Sequence, residues 1–146
     1  MRIKLSGPDI TQREIDAVAE VLRSGWLSLG PKVPEFEQAV ADFVGVKHAV
    51  AVSSGTAGLH LLMRAIGVGR GDEVISTPFS FIASTNCILF EGARPVLVDI
   101  DPDDWNLDLH QVEAAVTGRT KAIIPVDVFG QPPDMDAIKA IAAVRG

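Results

Sequence analysis

Ser53-Ser-Gly-Thr56 places three hydroxyls and a glycine between two apolar patterns. Before it lies Ala49-Val-Ala-Val52, and after it Leu59, Leu62, Met63 and Ile66. The first run has no alternation, as expected of a parallel strand covered on both faces. The second recurs at helical spacing. A strand that turns straight into a helix points the unpaired first N–H groups of that helix, and the positive end of its dipole, at the carboxyl edge of a sheet. Such a turn can bind a phosphate. The same residues also read as a plain helix N-cap, with a hydroxyl accepting from the first helical N–H groups. Local pattern leaves both readings open.

The known glycine signatures narrow the choice. A dinucleotide turn needs G-x-G-x-x-G and a nucleotide P-loop needs G-x-x-x-x-G-K-[ST]; Gly55-Thr-Ala-Gly58 satisfies neither. Gly67-Val-Gly-Arg-Gly71 follows a helical pattern and precedes a strand, so it reads as a helix stop and a turn. A Rossmann domain would also place an acidic residue near the end of its second strand, where Ser76-Thr77-Pro78 stands instead. Asp99, Asp101, Asp103 and Asp104 surround Pro102 and read as a turn, without histidine or glycine at ligand spacing. His48, His60 and His110 show no paired spacing for zinc, so no metal is expected. Cys87 reads as a buried helix residue with nothing basic beside it.

The elements that must position these residues alternate regularly. Thr11-Gln-Arg-Glu14 is a capping box that opens a helix with Ile15, Val18, Ala19 and Leu22 on one face, stopped by Gly25. A loop from Trp26 to Pro34 leads to a second helix over 34–44, with Gly45 just past its end. Strands are expected at 49–52, 73–76, 95–98 and 122–126, with helical patterns between them, including 109–116 and a last helix over 135–144. Repeated strand–helix–strand units imply an α/β fold, a three-layer and mainly parallel sheet with its sites at the carboxyl strand ends. The closing Ala142-Ala-Val-Arg-Gly146 looks cut off mid-pattern, because a helix ending in glycine normally leads into another strand.

A chain of 146 residues with 47% hydrophobic content suits one domain with a real core. A net charge of −6 with scattered acids argues against nucleic acid or an anionic membrane as partner. The lone cysteine cannot form an intramolecular disulfide, which favours a reducing compartment. Met1-Arg-Ile-Lys-Leu5 has no apolar signal core and no stretch reaches membrane-span length, so the expected location is the cytoplasm.

Blocks along nearly the whole chain resemble one family. Gly25-Trp-Leu-Ser-Leu-Gly-Pro-Lys-Val-Pro-Glu-Phe-Glu37, Ser53-Ser-Gly-Thr-Ala-Gly-Leu-His60 and Gly71-Asp-Glu-Val-Ile-Ser-Thr-Pro-Phe-Ser-Phe81 come first. Gly92-Ala-Arg-Pro-Val-Leu-Val-Asp-Ile-Asp101 and Thr120-Lys-Ala-Ile-Ile-Pro-Val-Asp-Val-Phe-Gly-Gln-Pro-Pro-Asp-Met-Asp-Ala-Ile138 follow in the expected order. Together they resemble the DegT/DnrJ/EryC1/StrS sugar aminotransferases, which use pyridoxal 5'-phosphate. The resemblance implies part of the large domain of a fold-type I transferase. It implies transamination of a nucleotide-linked keto-sugar, with glutamate as the usual amino donor, for polysaccharide or deoxyamino-sugar biosynthesis. It also implies a homodimer with composite sites.

Roles follow by likeness. Gly55 and Thr56 would hold the cofactor phosphate through main-chain N–H groups and the threonine hydroxyl, with Ser54 beside them. Phe81 falls where the family stacks an aromatic on the pyridine ring, which would also exclude water; Phe79 reads as core. Asn86 and Ser84 either support the pocket or hydrogen-bond within their own helix. Trp26 and Ser28 either face substrate or cofactor across a dimer interface or, for Trp26, simply anchor packing. Asp127 and Gln131 are assigned to the pocket wall.

Transamination needs a lysine to link the cofactor and move a proton, and a carboxylate to keep the pyridine nitrogen protonated. In the family both come from later in the chain. Lys4, Lys32, Lys47, Lys121 and Lys139 do not match the family's lysine motif, so no catalytic residue is nominated and the lysine is expected beyond Gly146. The isolated chain is therefore expected not to transaminate; its catalytic half would lie on further sequence or a partner chain. The alternative is a naturally truncated, non-catalytic binding or interaction module of the same fold.

Overall fold

The computed structural model describes residues 6–144; Lys4 and Gly146 lie outside the described residues. Two compact units divide between Ala51 and Val52.

In the first unit, Thr11 caps helix α1 (Gln12–Ser24), and its capping box with Glu14 forms as the sequence predicts. The Thr11 N–H donates to Glu14 Oε2 at 2.7 Å, and the Thr11 hydroxyl bonds the same carboxylate. These bonds hold the Glu14 carboxyl below its ordinary range. Gly25 ends the helix with a left-handed φ of 70°, where a side chain would be strained. Helix α2 (Lys32–Val44) begins two residues earlier than Pro34 suggests, because a proline inside the first turn forfeits only a donor that has no helical partner. Glu37 Oε1 then accepts the Ala51 N–H at 2.8 Å and fixes the end of the unit.

The second unit is the alternating part. It comprises α3 (Gly55–Ala65), β1 (Glu73–Ser76), α4 (Ala83–Phe90), β2 (Arg94–Leu97), α5 (Leu109–Ala115), β3 (Thr120–Ile123) and α6 (Met135–Ala143). The strands form one parallel sheet in the order β2-β1-β3, with Ile75 opposite Val96 and Ile123. Successive side chains of β1 point to opposite faces. Val74 packs with Met63, Val68, Cys87 and Ile88 beneath α3 and α4. Ile75 packs with Val98, Leu107 and Val112, joined by Ile141 from α6. The sheet is therefore covered on both sides, and the expected three-layer α/β architecture is present. Burial also pushes the Cys87 thiol up, away from reactivity.

One expected strand does not form among the described residues: 49–52 carry no regular secondary structure and pair with no described strand, and Val50 is 77% exposed. A strand exists through its ladder, and the sheet's two outer strands, β2 and β3, are each bonded only to β1. An apolar run specifies an extended backbone without supplying a neighbour. The strand at 73–76 keeps its expected bounds and the other boundaries shift by up to three residues, most at the end of β3, past which Ile124 still donates its N–H to the Ile75 carbonyl at 2.8 Å.

At the amino end of β1 the Glu73 carboxylate is buried and fully engaged. It accepts from the Thr117 hydroxyl at 2.7 Å and from Arg119 Nη2 at 2.6 Å, with Arg94 Nη2 at 3.2 Å. The Thr117 hydrogen bond and then Arg119 hold its carboxyl below the ordinary range. A depressed folded value means this contribution to stability is complete above the unfolded pKa of about 4.3 and disappears as pH falls through the folded value. Glu73→Gln should therefore melt below the wild type at neutral pH, with the gap closing on acidification. A gap independent of pH would show that the charge of Glu73 contributes nothing.

Candidate functional site

The carboxyl ends of the sheet strands and the start of α3 meet around a cleft of about 830 Å³. Gly55 and Thr56 come from the first turn of α3, Phe79 and Phe81 from the segment after β1, and Ser84 from the first turn of α4. Asp127 and Val128 come from the segment after β3. This is the edge at which a parallel α/β sheet presents ligand sites.

Ser54 is the N-cap of α3: its Oγ accepts the Ala57 N–H at 3.1 Å, while its carbonyl accepts from Gly58 at 3.0 Å. That leaves the N–H groups of Gly55 and Thr56, and the Thr56 hydroxyl, without a partner among the described residues. An ideal Cβ built on Gly55 would meet nothing within 4 Å, so the turn is open where a ligand must approach the backbone. Uncommitted donors at the positive end of an eleven-residue helix suit a phosphate dianion.

The segment carrying the aromatic side chains is held by short polar contacts. Ser76 Oγ donates to the Ile124 carbonyl at 3.0 Å inside the core. Thr77 Oγ1 accepts the Phe79 N–H at 3.1 Å, and the Ser80 and Ser84 hydroxyls lie 2.7 Å apart. Phe81 then stands 76% exposed on the cleft, a large apolar face free to cover a flat ring. Phe79, expected in the core, is half-buried and also lines the cleft. The free donors, the open turn and the exposed aromatic fit a phosphorylated aromatic cofactor such as pyridoxal phosphate.

Of the residues singled out in the sequence, this cleft brings together Gly55, Thr56, Phe81, Ser84 and Asp127. Ser54 supports it from behind as the cap. Asn86 is half-buried on α4 and does not line it. Gln131 lines a neighbouring cleft with Trp105 and Phe129. Trp26 and Ser28 belong to the first unit, where Trp26 is exposed and its carbonyl closely approaches Gly30. Among the described residues no lysine lines this cleft.

Sequence patterns missed Trp105 and Asn106. Phe79, Trp105 and Phe129 form an edge-to-face cluster with ring centroids 5.5 to 6.1 Å apart. Trp105 holds a left-handed φ of 66°, which costs an L-residue about 1–2 kcal/mol. The acids around it make the turn anticipated for them: Asp101 Oδ1 accepts the Asp103 N–H, and Asp104 Oδ1 accepts the Asn106 N–H. The one available signal was an aromatic residue stranded inside an Asp-rich turn. Among the described residues no group of acids, histidines and cysteine is placed to hold a metal, and His60 Nε2 lies 2.6 Å from Glu91 Oε1.

The family model for DegT/DnrJ/EryC1/StrS aminotransferases matches residues 8–146. The chain belongs to that family. This family member is 54% identical over 139 residues to the spore coat polysaccharide biosynthesis protein SpsC of Bacillus subtilis, covering 95% of the chain and 36% of SpsC. It is 48% identical over 142 residues to GDP-perosamine synthase of Caulobacter vibrioides, covering 97% of the chain and 38% of the synthase. Among solved structures it superposes with a TM-score of 0.93 at 40% identity on Spr1654 of Streptococcus pneumoniae in its PLP-form, a protein described as a sugar aminotransferase. That match covers 97% of the chain and 36% of Spr1654. The chain thus spans little more than a third of the length of these relatives. The sugar aminotransferases of this family are pyridoxal-phosphate enzymes, and Spr1654 has been captured in both PLP- and PMP-forms.

No helix among the described residues is long and apolar enough to cross a membrane.

Proposed function

We propose that this chain supplies the cofactor-phosphate turn and ring-covering wall of an enzyme that transfers an amino group to a nucleotide-linked keto-sugar. The observation that carries the proposal is the convergence of unpartnered Gly55 and Thr56 N–H groups with exposed Phe81 in one cleft. Bound pyridoxal phosphate supplies the electron sink that amino transfer needs. The chain's own work is positional: the α3 turn anchors the phosphate, and Phe81 covers the ring and excludes water from its face. Asp127 forms part of the wall. Trp26 and Ser28 are assigned to substrate by family likeness alone, as is the homodimer in which they would act. Asn86 and Gln131 are kept as outer pocket residues on the same ground.

Glutamate is the proposed donor, and the product an amino sugar for polysaccharide or deoxyamino-sugar synthesis. The chain spans little more than a third of the relatives' length, and no described lysine lines the cleft. In this reading the linking lysine comes from polypeptide outside this stretch or from a partner chain. The second reading is a non-catalytic binding module of the same fold, which would hold the cofactor without turning it over.

The full-length protein, loaded with cofactor and given glutamate, separates the readings. Conversion to the pyridoxamine form with release of 2-oxoglutarate, and return to the starting form with a nucleotide keto-sugar, is the expected result. Cofactor binding without conversion would favour the module, and no cofactor binding would sink both. Phe81→Ala should weaken cofactor binding about tenfold, through lost ring contact, with little effect on folding because the side chain is exposed. Unchanged affinity in an absorbance titration would remove Phe81 from the site.

A further inference from the structure

At the amino edge of the sheet, away from the α3 turn, lies a cleft of about 440 Å³. Arg94, which opens β2, and Arg119, which precedes β3, line it, and Arg70 lies along its Gly92 wall. A Cβ on Gly92 would stand 3.0 Å from Arg70 Cγ, so the glycine makes room for that stem. The backbone pins the other two arginines. Arg94 donates its N–H to the Asp72 carbonyl at 2.9 Å, and the Arg119 carbonyl accepts the Glu73 N–H at 2.8 Å. Their side chains then meet on one oxygen: Glu73 Oε1 accepts from Arg119 Nε at 3.0 Å and Nη2 at 2.6 Å, and lies 3.2 Å from Arg94 Nη2. The two guanidiniums are thus held side by side over a buried carboxylate whose other oxygen is taken by the Thr117 hydroxyl. Among the described residues Arg119 Nη1 and Arg94 Nε and Nη1 have no hydrogen-bond partner, and Arg70 has neither a side-chain hydrogen bond nor an ion pair. Nor are they spent on the end of α4, whose Ile88 and Leu89 carbonyls accept from Glu91, Gly92 and Ala93.

Charge and walls select the ligand. Three arginines against Asp72 and Glu73 leave the cleft one positive charge, in a chain whose net charge is −6. Guanidinium forks match the two oxygens of a carboxylate. A single charge also suits a carboxylate better than a phosphate dianion, which Asp72 would repel more strongly. Leu89, Ala93 and Pro95 add apolar walls beside the arginines. We propose that this cleft binds a short aliphatic carboxylate, with its head on Arg94 and Arg119, Arg70 beside it, and its chain along Leu89 and Pro95. Binding there uses neither the α3 turn nor Phe81, so the site stands apart from the proposed amino transfer.

Calorimetric titration of the full-length protein in excess pyridoxal phosphate, with hexanoate, hexanol and hexyl phosphate in turn, tests it. Hexanoate should bind saturably, hexanol at least about tenfold more weakly, and hexyl phosphate several-fold more weakly. Arg94→Gln should weaken hexanoate about tenfold and Arg70→Gln several-fold. Both side chains are exposed, whereas Arg119→Gln would strand the buried Glu73 carboxylate and unsettle the fold. Asp72→Asn removes the repelling charge, keeps an acceptor for the Gly69 N–H, and should tighten hexanoate several-fold, a gain that misfolding cannot imitate. Absence of saturable binding, equal or tighter binding of hexanol or hexyl phosphate, or indifference to Arg94→Gln and Asp72→Asn would each overturn the proposal. So would hexanoate binding that occurs only when pyridoxal phosphate is left out, which would move it to the α3 turn. A cofactor titration of the same protein reads the proposed amino-transfer site separately, since either site can fail while the other binds.

Discussion

Thr56→Asp is expected to abolish cofactor retention while leaving the protein folded. The substitution sets a carboxylate at the second residue of α3, beside the unpartnered Gly55 and Thr56 N–H groups. There it meets the phosphate dianion as a like charge at close range, a penalty of several kcal/mol. Binding should weaken at least about a hundredfold, since each tenfold corresponds to about 1.4 kcal/mol. The same carboxylate lies at the positive end of the helix dipole and should stabilise the empty protein by about 0.3–1 kcal/mol. Opposite signs for binding and stability make the result hard to imitate by misfolding. An absorbance titration and a thermal melt read both. Retained affinity would move the phosphate elsewhere, and a collapse of both would make the turn merely structural.

Ile75→Ala is expected to be the most damaging single truncation in the sheet. Ile75 is fully buried in the central strand and packs with Val98, Leu107 and Val112 beneath α5 and α6. Removing its branched side chain leaves a cavity between sheet and helices, at a cost of about 2–5 kcal/mol. That is a large fraction of the roughly 5–15 kcal/mol that holds a typical domain together. Leu62→Ala, on the exposed side of α3, should change stability by about 0.5 kcal/mol or less. Urea midpoints compare the two directly. If both variants cost the same, Ile75 is not at the centre of this core.

Local chemistry made much of this architecture legible. The Thr11–Glu14 capping box and the glycine stop at Gly25 are self-contained signals and form as read. Glu73 to Ser76 is the central strand with the predicted bounds, because an apolar pair between a turn and Thr77-Pro78 leaves little choice of register. Residues 49–52 failed for the opposite reason: their composition specifies an extended backbone, but pairing depends on a neighbour that local sequence does not encode. The two readings of Ser53 to Thr56 proved compatible. Ser54 caps Ala57, and that leaves the next two N–H groups free. The ring-stacking assignment of Phe81 rests on family register alone, since exposure at a cleft has no periodicity. Trp105, Asn106 and Phe129 meet through tertiary packing across more than twenty residues, so no window of sequence contains their cleft.

The crystal structure of the protein with pyridoxal phosphate bound is the measurement that tests the central claim most directly. The account predicts phosphate oxygens at about 2.7–3.2 Å from the Gly55 and Thr56 nitrogens, with the Thr56 hydroxyl donating to one of them and the pyridine ring lying against Phe81. A phosphate bound away from the α3 turn, or a ring that leaves Phe81 uncovered, would contradict it.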